Sequence, residues 1–179
     1  LLHPWHEANP GTKCSHLVWG FIEISRGIRA KFDIDKSTGL RKLDRVLHSS
    51  VHYPTNYGFI PQTLQVDGDP LDILVLCQED IIPHCLVETR VIGVMRMVDQ
   101  GVTDDKIIAI ALQDRSVAHI HNIQDLPPHT ELEIMHFFET YTILEGKKVT
   151  THKLEPKEIA YEIIMEALAY YKEKYPKKF

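Results

Sequence analysis

Apolar and polar side chains alternate along much of the first two thirds of the chain, and a longer period follows. In RAKFDIDK (29–36) the alternation is regular, as in a strand with one buried and one solvated face. WGFIEIS (19–25) and LRKLDRVL (40–47) have strand character too, and Ser37, Thr38 and Gly39 supply a hairpin turn between the second and third runs. ILVLC (73–77), LVETRVIGV (86–94) and IIAIAL (107–112) are further β-type runs, the first of them like a buried strand. Short strands cut by Gly, Pro and Asp turns predict a small antiparallel barrel or sandwich.

Near residue 130 the period changes. In ELEIMHFFETYTILE (131–145), Leu132, Met135, Phe138, Tyr141 and Leu144 recur every third residue and predict one stripe of a helix. Thr130 and Glu133 have the spacing of a capping box at its start. A second helix is predicted from Pro156, a good first-turn residue, to Lys174, with Ile159, Ile163, Ala167 and Tyr171 on its apolar face. The fold class is therefore mainly β with α (α+β): a β-barrel covered by two helices from the C-terminal half. No internal repeat or low-complexity block divides the chain, so 1–179 is expected to be one domain.

Composition narrows the function classes. A net charge of −5 offers no general attraction to nucleic acid or an anionic membrane. No apolar stretch approaches spanning length, and the N-terminus lacks a basic-then-apolar signal pattern. A first residue other than methionine, Leu1, is consistent with a trimmed tag, transit peptide or leader, with nothing in the sequence to choose among them. Cys14, Cys77 and Cys85, odd in number and without CxxC spacing, argue against a disulfide framework or a zinc ribbon and fit idle thiols of a reducing cytoplasm. His3 with His6, and His119 with His121 on one strand face, have the look of zinc pairs, but such isolated pairs are more often surface histidines.

DGDPLD (67–72) sets Asp67, Asp69 and Asp72 within six residues, just before a buried run. Alone it reads as a solvated acidic turn or as a cation site. It is not an EF-hand, because Asp72 stands where that loop needs glycine and a strand follows at once. A second acidic turn, MVDQGVTDDK (97–106), adds Asp99, Asp104, Asp105 and Lys106. Facing one another at strand ends, the two turns would repel unless divalent cations sat between them. Ligands that are all hard oxygens favour Mg²⁺ or Mn²⁺ over zinc or copper. Lys31 and Arg45 on strands, and Tyr53 and Tyr57 near Pro54, are singly a surface cation or a packing phenol. Beside metal-binding carboxylates they make sense as a clamp for a phosphorylated substrate. No GxxxxGK or GxGxxG nucleotide cradle is present.

DGDPLDILV, with VDQGVTDDKI, DRVLHSSVHYPTNYGFIPQTL and LPPHTELEIMHFFETY in order and spacing, resembles the family I soluble inorganic pyrophosphatases, from HPWHE to the final helix. The resemblance implies a five-stranded OB-like barrel with helices. It implies a hydrolase (an inorganic diphosphatase) that cleaves pyrophosphate into two orthophosphates with a metal-activated water, drawing pyrophosphate-releasing biosynthesis forward. The implied cofactor is Mg²⁺, several per site, with Mn²⁺ as a possible substitute. Asp67, Asp72 and Asp104 would hold one cation, Asp72 would help a second, Asp99 and Asp104 would hold one arriving with substrate, and Asp33 would act through waters. Asp69 would orient the water and take its proton. Lys31, Arg45, Tyr57, Lys106 and Tyr141 would contact the phosphates, with Tyr53 in support and Glu23 in the outer shell. A cytoplasmic homohexamer without nucleic-acid or membrane partners completes the expectation.

Three positions depart from the family's usual pattern. Asp33 stands for a common Glu, Phe32 for a common Tyr, and Thr142 for the Lys that usually follows the tyrosine of the late helix. Lys147 and Lys148 are local substitutes for the missing charge, or solvated loop charges. Rival readings are a phosphohydrolase for another small phosphorylated compound, an OB-like module binding single-stranded nucleic acid, and a pyrophosphatase scaffold weakened at Thr142.

Overall fold

The computed structural model describes residues 2–11 and 16–176; Cys14 lies outside the described residues. In chain order it places α1 (Pro4–Glu7), β1 (Leu17–Ile24), β2 (Ala30–Ile34), β3 (Arg41–Val46), β4 (Asn56–Phe59), β5 (Asp72–Leu76) and β6 (Cys85–Asp99). There follow β7 (Val102–Thr103), β8 (Lys106–Ala111), α2 (Pro128–Thr140), β9 (Val149–Pro156) and α3 (Lys157–Lys174). Short 3₁₀ turns occupy Ile123–Asp125 and Ile143–Glu145.

β1, β4, β5, β8 and β6 pair in that order, and β6 pairs again with β1, so five strands close into a ring. Closure leaves no free edge in the ring. β6 makes it possible: its first part pairs with β1, its middle with β8, and its later part with β9. The apolar runs are continuous because each strand is buried on both faces. Leu74 and Ile108 join one core cluster with Phe137 and Phe138 of α2, while their neighbours Ile73 and Ile107 join another with Ala160 and Ile164 of α3. Gly58 is required where β4 meets β1, since a Cβ there would lie 1.8 Å from the Phe21 carbonyl oxygen.

The mainly β fold with helices in the C-terminal half is as expected, but its membership differs. β4 belongs to the ring, although YPTNY carried no strand signal beyond its tyrosines. β2 and β3 form a separate two-stranded hairpin outside it. The ring is not wholly antiparallel either: β5 and β8 run parallel, because the long β6 lies between them in the chain and carries it back to the same end.

Both helices sit differently from expectation. α2 starts at Pro128, with Pro127 as N-cap and no side-chain cap, so Thr130 and Glu133 form no box at its start. Pro128 in the first turn sets the boundary instead. Its buried face is Ile134, Phe137 and Phe138, continued by Tyr141, whereas Leu132 and Leu144 are 63% and 66% exposed. A strict three-residue step falls behind the helix by about 60° each time, so the two ends of the predicted stripe rotate into solvent. In α3 the buried residues are Ala160, Ile164, Ala167 and Tyr171, with Ile159 and Ile163 half-buried beside them. Pro156 ends β9 and caps α3 from outside it.

Candidate active site

The parallel pair explains how two acidic turns meet. Asp72 opens β5, Lys106 opens β8, and they are register partners. The turns that lead into the two strands, 67–71 and 99–105, must therefore arrive at the same end of the ring. There they line a cleft of about 770 Å³ with Asp67, Asp69, Asp72, Asp99 and Asp104. Glu23 from β1, Lys31 and Asp33 from β2, Tyr57 from β4, Lys106 from β8 and Tyr141 after α2 join the same wall.

Lys106 is 2% exposed, with its Nζ 2.5 Å from Asp72 Oδ2 and 2.7 Å from Asp104 Oδ1. Tyr57 also donates to Asp72 Oδ2, at 2.7 Å. Burial alone would lower the Lys106 pKa, but Asp104 and Asp72 outweigh it and hold the ammonium well above its ordinary value. Burial raises the Asp72 carboxyl to about 6, against the lowering pull of Lys106. Burial also raises Asp67, and it raises Glu23 strongly, with Asp72 and Asp33 adding repulsion. Glu23 accepts from the Ile34 N–H at 2.9 Å and so ties β2 to β1. Lys31 bridges Asp33 at 3.2 Å and Asp44 at 3.1 Å; burial lowers its pKa, but these carboxylates raise it overall. Tyr57 is pushed well above an ordinary phenol and Tyr141 up to about 12, first by burial in both cases.

Two expected members stand outside the wall. Tyr53, 2% exposed, packs beneath Tyr57 and Phe137 with ring centroids 5.2 and 4.6 Å away. Arg45 turns to Glu145, with Nε 2.9 Å from Oε1, and to Asp44. Asp105 of the second acidic turn faces elsewhere and pairs with Arg96 at 2.9 Å. Phe32 packs under the Arg41 guanidinium, 5.0 Å from its ring centroid. Thr142 is 1% exposed and its Oγ1 meets no hydrogen-bond partner among the described residues. Lys147 reaches Glu145 Oε1 at 3.5 Å, and neither Lys147 nor Lys148 lines the cleft.

Among the described residues, no three His, Cys, Asp or Glu side chains are gathered to hold a metal ion. The Lys106 ammonium stands between Asp72 and Asp104 instead. The residues nonetheless fit a hard divalent cation. Donors facing the cleft are oxygens, and Asp99 Oδ1 is buried without a hydrogen-bond partner among the described residues. Burial, more than neighbouring charge, raises the Asp72, Asp67 and Glu23 carboxyls, so a bound cation would offset the cost of keeping them ionised there. Neither histidine pair sits as the sequence reading places it. His6 is buried, not at the surface, with Nδ1 2.6 Å from Tyr171 Oη, and His119 and His121 lie exposed in irregular chain, not on a strand. Cys77 and Cys85 are free thiols.

Several residues at the cleft escaped the sequence reading, among them Lys42, Gln100, Lys36 and Trp5. Lys36 bonds Asp69 and the Gly68 carbonyl oxygen, and Trp5 forms part of the wall. A lysine in the turn DKSTG has the pattern of any solvated hairpin turn, so nothing local flags it. Trp5 was visible only as part of HPWH.

The sequence model of the inorganic pyrophosphatase family matches residues 20–172. A soluble inorganic pyrophosphatase of rice (Oryza sativa subsp. indica) is 47% identical over 169 residues, covering 94% of this chain and 79% of its own. Soluble inorganic pyrophosphatase 2 of Chlamydomonas reinhardtii is 46% identical over 177 residues, covering 98% of this chain and 92% of its own. The crystal structure of the inorganic pyrophosphatase of Thermus thermophilus superposes with a TM-score of 0.90 at 40% identity, covering 94% of this chain and 99% of that one.

Proposed function

The chain belongs to the family I soluble inorganic pyrophosphatases, and from that membership we propose that the acidic cleft is where pyrophosphate is hydrolysed. The activity is that of an inorganic diphosphatase, which splits pyrophosphate into two phosphates. The observation that carries the site is the meeting of Asp67, Asp69, Asp72, Asp99 and Asp104 with Lys31, Lys106, Tyr57 and Tyr141 in one cleft.

The family uses divalent metal, and Mg²⁺ is the proposed ion, with Mn²⁺ as a substitute and Asp67, Asp72, Asp99 and Asp104 as holders, Asp33 acting through waters. When bound, such ions neutralise phosphate oxygens and make a water easier to deprotonate. Asp69, reachable from solvent, orients the attacking water and takes its proton. Lys106 remains protonated in its buried position and serves as a fixed positive charge for the phosphates. Tyr141, held un-ionised by burial, donates a hydrogen bond to a phosphate oxygen, and Tyr57, un-ionised for the same reason, does so by turning its one hydroxyl proton away from Asp72 Oδ2. Lys31 adds charge from β2, and Arg45 does so from β3 once it leaves its pairing with Glu145 and Asp44. Glu23 fixes β2 against β1, and Tyr53 backs Tyr57. Attack is in line, and no side chain forms a covalent intermediate.

The whole chain, 1–179, is proposed to act as one domain. A homohexamer and cytoplasmic residence are proposed from the family resemblance, the free Cys77 and Cys85 thiols supporting a reducing compartment. Among the described residues, no helix is long and apolar enough to cross a membrane.

Asp69→Asn tests the site. The amide is isosteric but accepts no proton, so turnover should fall by ~10²–10⁴-fold while calorimetric Mg²⁺ binding persists. Turnover at the wild-type rate would remove Asp69 from the mechanism.

A further inference from the structure

The segment His3 to Glu7 has no part in the roles above, yet it touches both loops that flank Asp69. α1 is only four residues long and is held from outside. Trp5 is 3% exposed and stacks on His6 with ring centroids 4.6 Å apart, and His6 is bonded to Tyr171 of α3. Trp5 grips the chain just before DGDPLD twice. Its indole Nε1 donates to the Thr63 carbonyl oxygen at 2.8 Å, and its own carbonyl accepts from the Gln62 N–H at 2.8 Å. Thr63 in turn closes the base of the acidic loop, its Oγ1 accepting from the Leu71 N–H at 2.9 Å.

The other contact is to the turn between β2 and β3. His3 Nε2 lies 3.1 Å from the Lys36 carbonyl oxygen. Gly39 lies so close to His3 and Pro4 that a Cβ there would come within 3.1 Å of both side chains. That turn carries Lys36, whose ammonium pairs with Asp69 and lies 3.1 Å from the Gly68 carbonyl oxygen. A path of direct contacts thus runs from α3 through α1 to the two sides of the Asp67–Asp69 loop. Trp5 itself reaches the cleft wall.

We propose that α1 is a clasp on the acidic loop, with Trp5, His3 and Lys36 as positioning residues for Asp67 and Asp69. The clasp rests on the assignment of Asp67 and Asp69 to the reaction. Its function is geometric. The loop is exposed and turn-rich, and displacement by about 1 Å of a group that orients the attacking water costs on the order of 10²-fold in rate. Trp5 fixes the base of the loop, and Lys36 fixes its tip.

Trp5→Phe keeps an aromatic ring, smaller than the indole, and removes the Nε1 donor, while Lys36→Met removes the ammonium at an exposed position where folding is not at stake. For each, kcat should fall on the order of 10-fold with KM for pyrophosphate nearly unchanged, and Lys36→Arg should restore most of the loss. Calorimetric Mg²⁺ affinity without substrate should weaken severalfold in Trp5→Phe, because Asp67 lies in the clasped loop. A lower Tm with unchanged kcat and Mg²⁺ affinity would make α1 a packing element only and overturn the clasp. So would wild-type kcat in both variants. Asp69→Asn, measured alongside, separates the two readings. If it keeps turnover, the site assignment fails and takes the clasp with it. If it is inactive while Trp5→Phe and Lys36→Met turn over normally, the clasp alone fails.

Discussion

Lys106 stands between Asp72 and Asp104 with 2% of its surface exposed, and it offsets their mutual repulsion as long as no cation does. Lys106→Met keeps the volume of the stem and strands two carboxylates together. In chelator the variant should lose about 3–5 kcal/mol in urea unfolding, as expected when one partner of a buried ion pair is removed, and Mg²⁺ should restore part of it. Equal stability of variant and parent in chelator would count against the pairing. Thr142 presents the opposite case, a charge expected from the family and absent. Its Oγ1 is buried and has no partner among the described residues, and Lys147 pairs with Glu145, the same carboxylate that holds Arg45. Thr142→Lys should strengthen substrate or transition-state binding by roughly 1.5–3 kcal/mol, the range for a charged hydrogen bond, read in KM and kcat at fixed free Mg²⁺. If it changes neither while Lys147→Ala lowers activity, Lys147 already supplies the charge through that corner. Carboxylates were legible at this scale because a short dense motif has few structural uses. Lys36 and Glu145 were not, because their meaning comes from partners 33 and 100 positions away, Asp69 and Arg45.

Among the elements, the long apolar runs were legible as strands because burial on both faces leaves little room for polar residues. β4 was not. It has four residues, one of them Gly58, and its place between β1 and β5 comes from pairing rather than propensity. α2 shows how a period can mislead. Its apolar residues fit a three-residue step by eye, but the helix buries Ile134, Phe137 and Phe138 against the ring. The two alternatives separate cleanly by mutation. Phe137→Ala should cost about 3–5 kcal/mol, since Phe137 also packs on Tyr53 and Tyr141. Leu132→Ala, at an exposed site, should stay within about 0.5 kcal/mol. Urea unfolding of both variants reads this directly, and comparable losses would restore the predicted stripe.

On the scale of the whole molecule, the closed ring and its two helices bury tyrosines from distant parts of the chain. Tyr53 and Tyr57 are raised well above an ordinary phenol, and Tyr141 and Tyr171 are pushed up to about 12, each first by burial. An unfolded tyrosine ionises near pH 10. Between there and the raised native values, the folded protein holds more protons than the unfolded one, so stability falls as pH rises. Below about pH 10 the contribution is fully present, and it is lost as pH climbs through the native range. Lys106, raised by Asp104 and Asp72 against burial, acts with the same sign above its ordinary value. Each such group contributes a slope of about 1.4 kcal/mol per pH unit, so urea unfolding at pH 9, 10 and 11 should show a steepening loss worth several protons. Tyr53→Phe should flatten the slope by about one proton's worth. An unfolding free energy that stays level from pH 9 to 11 would mean that these phenols ionise as readily in the fold as in the unfolded chain, and would overturn the assignment of raised values to their burial.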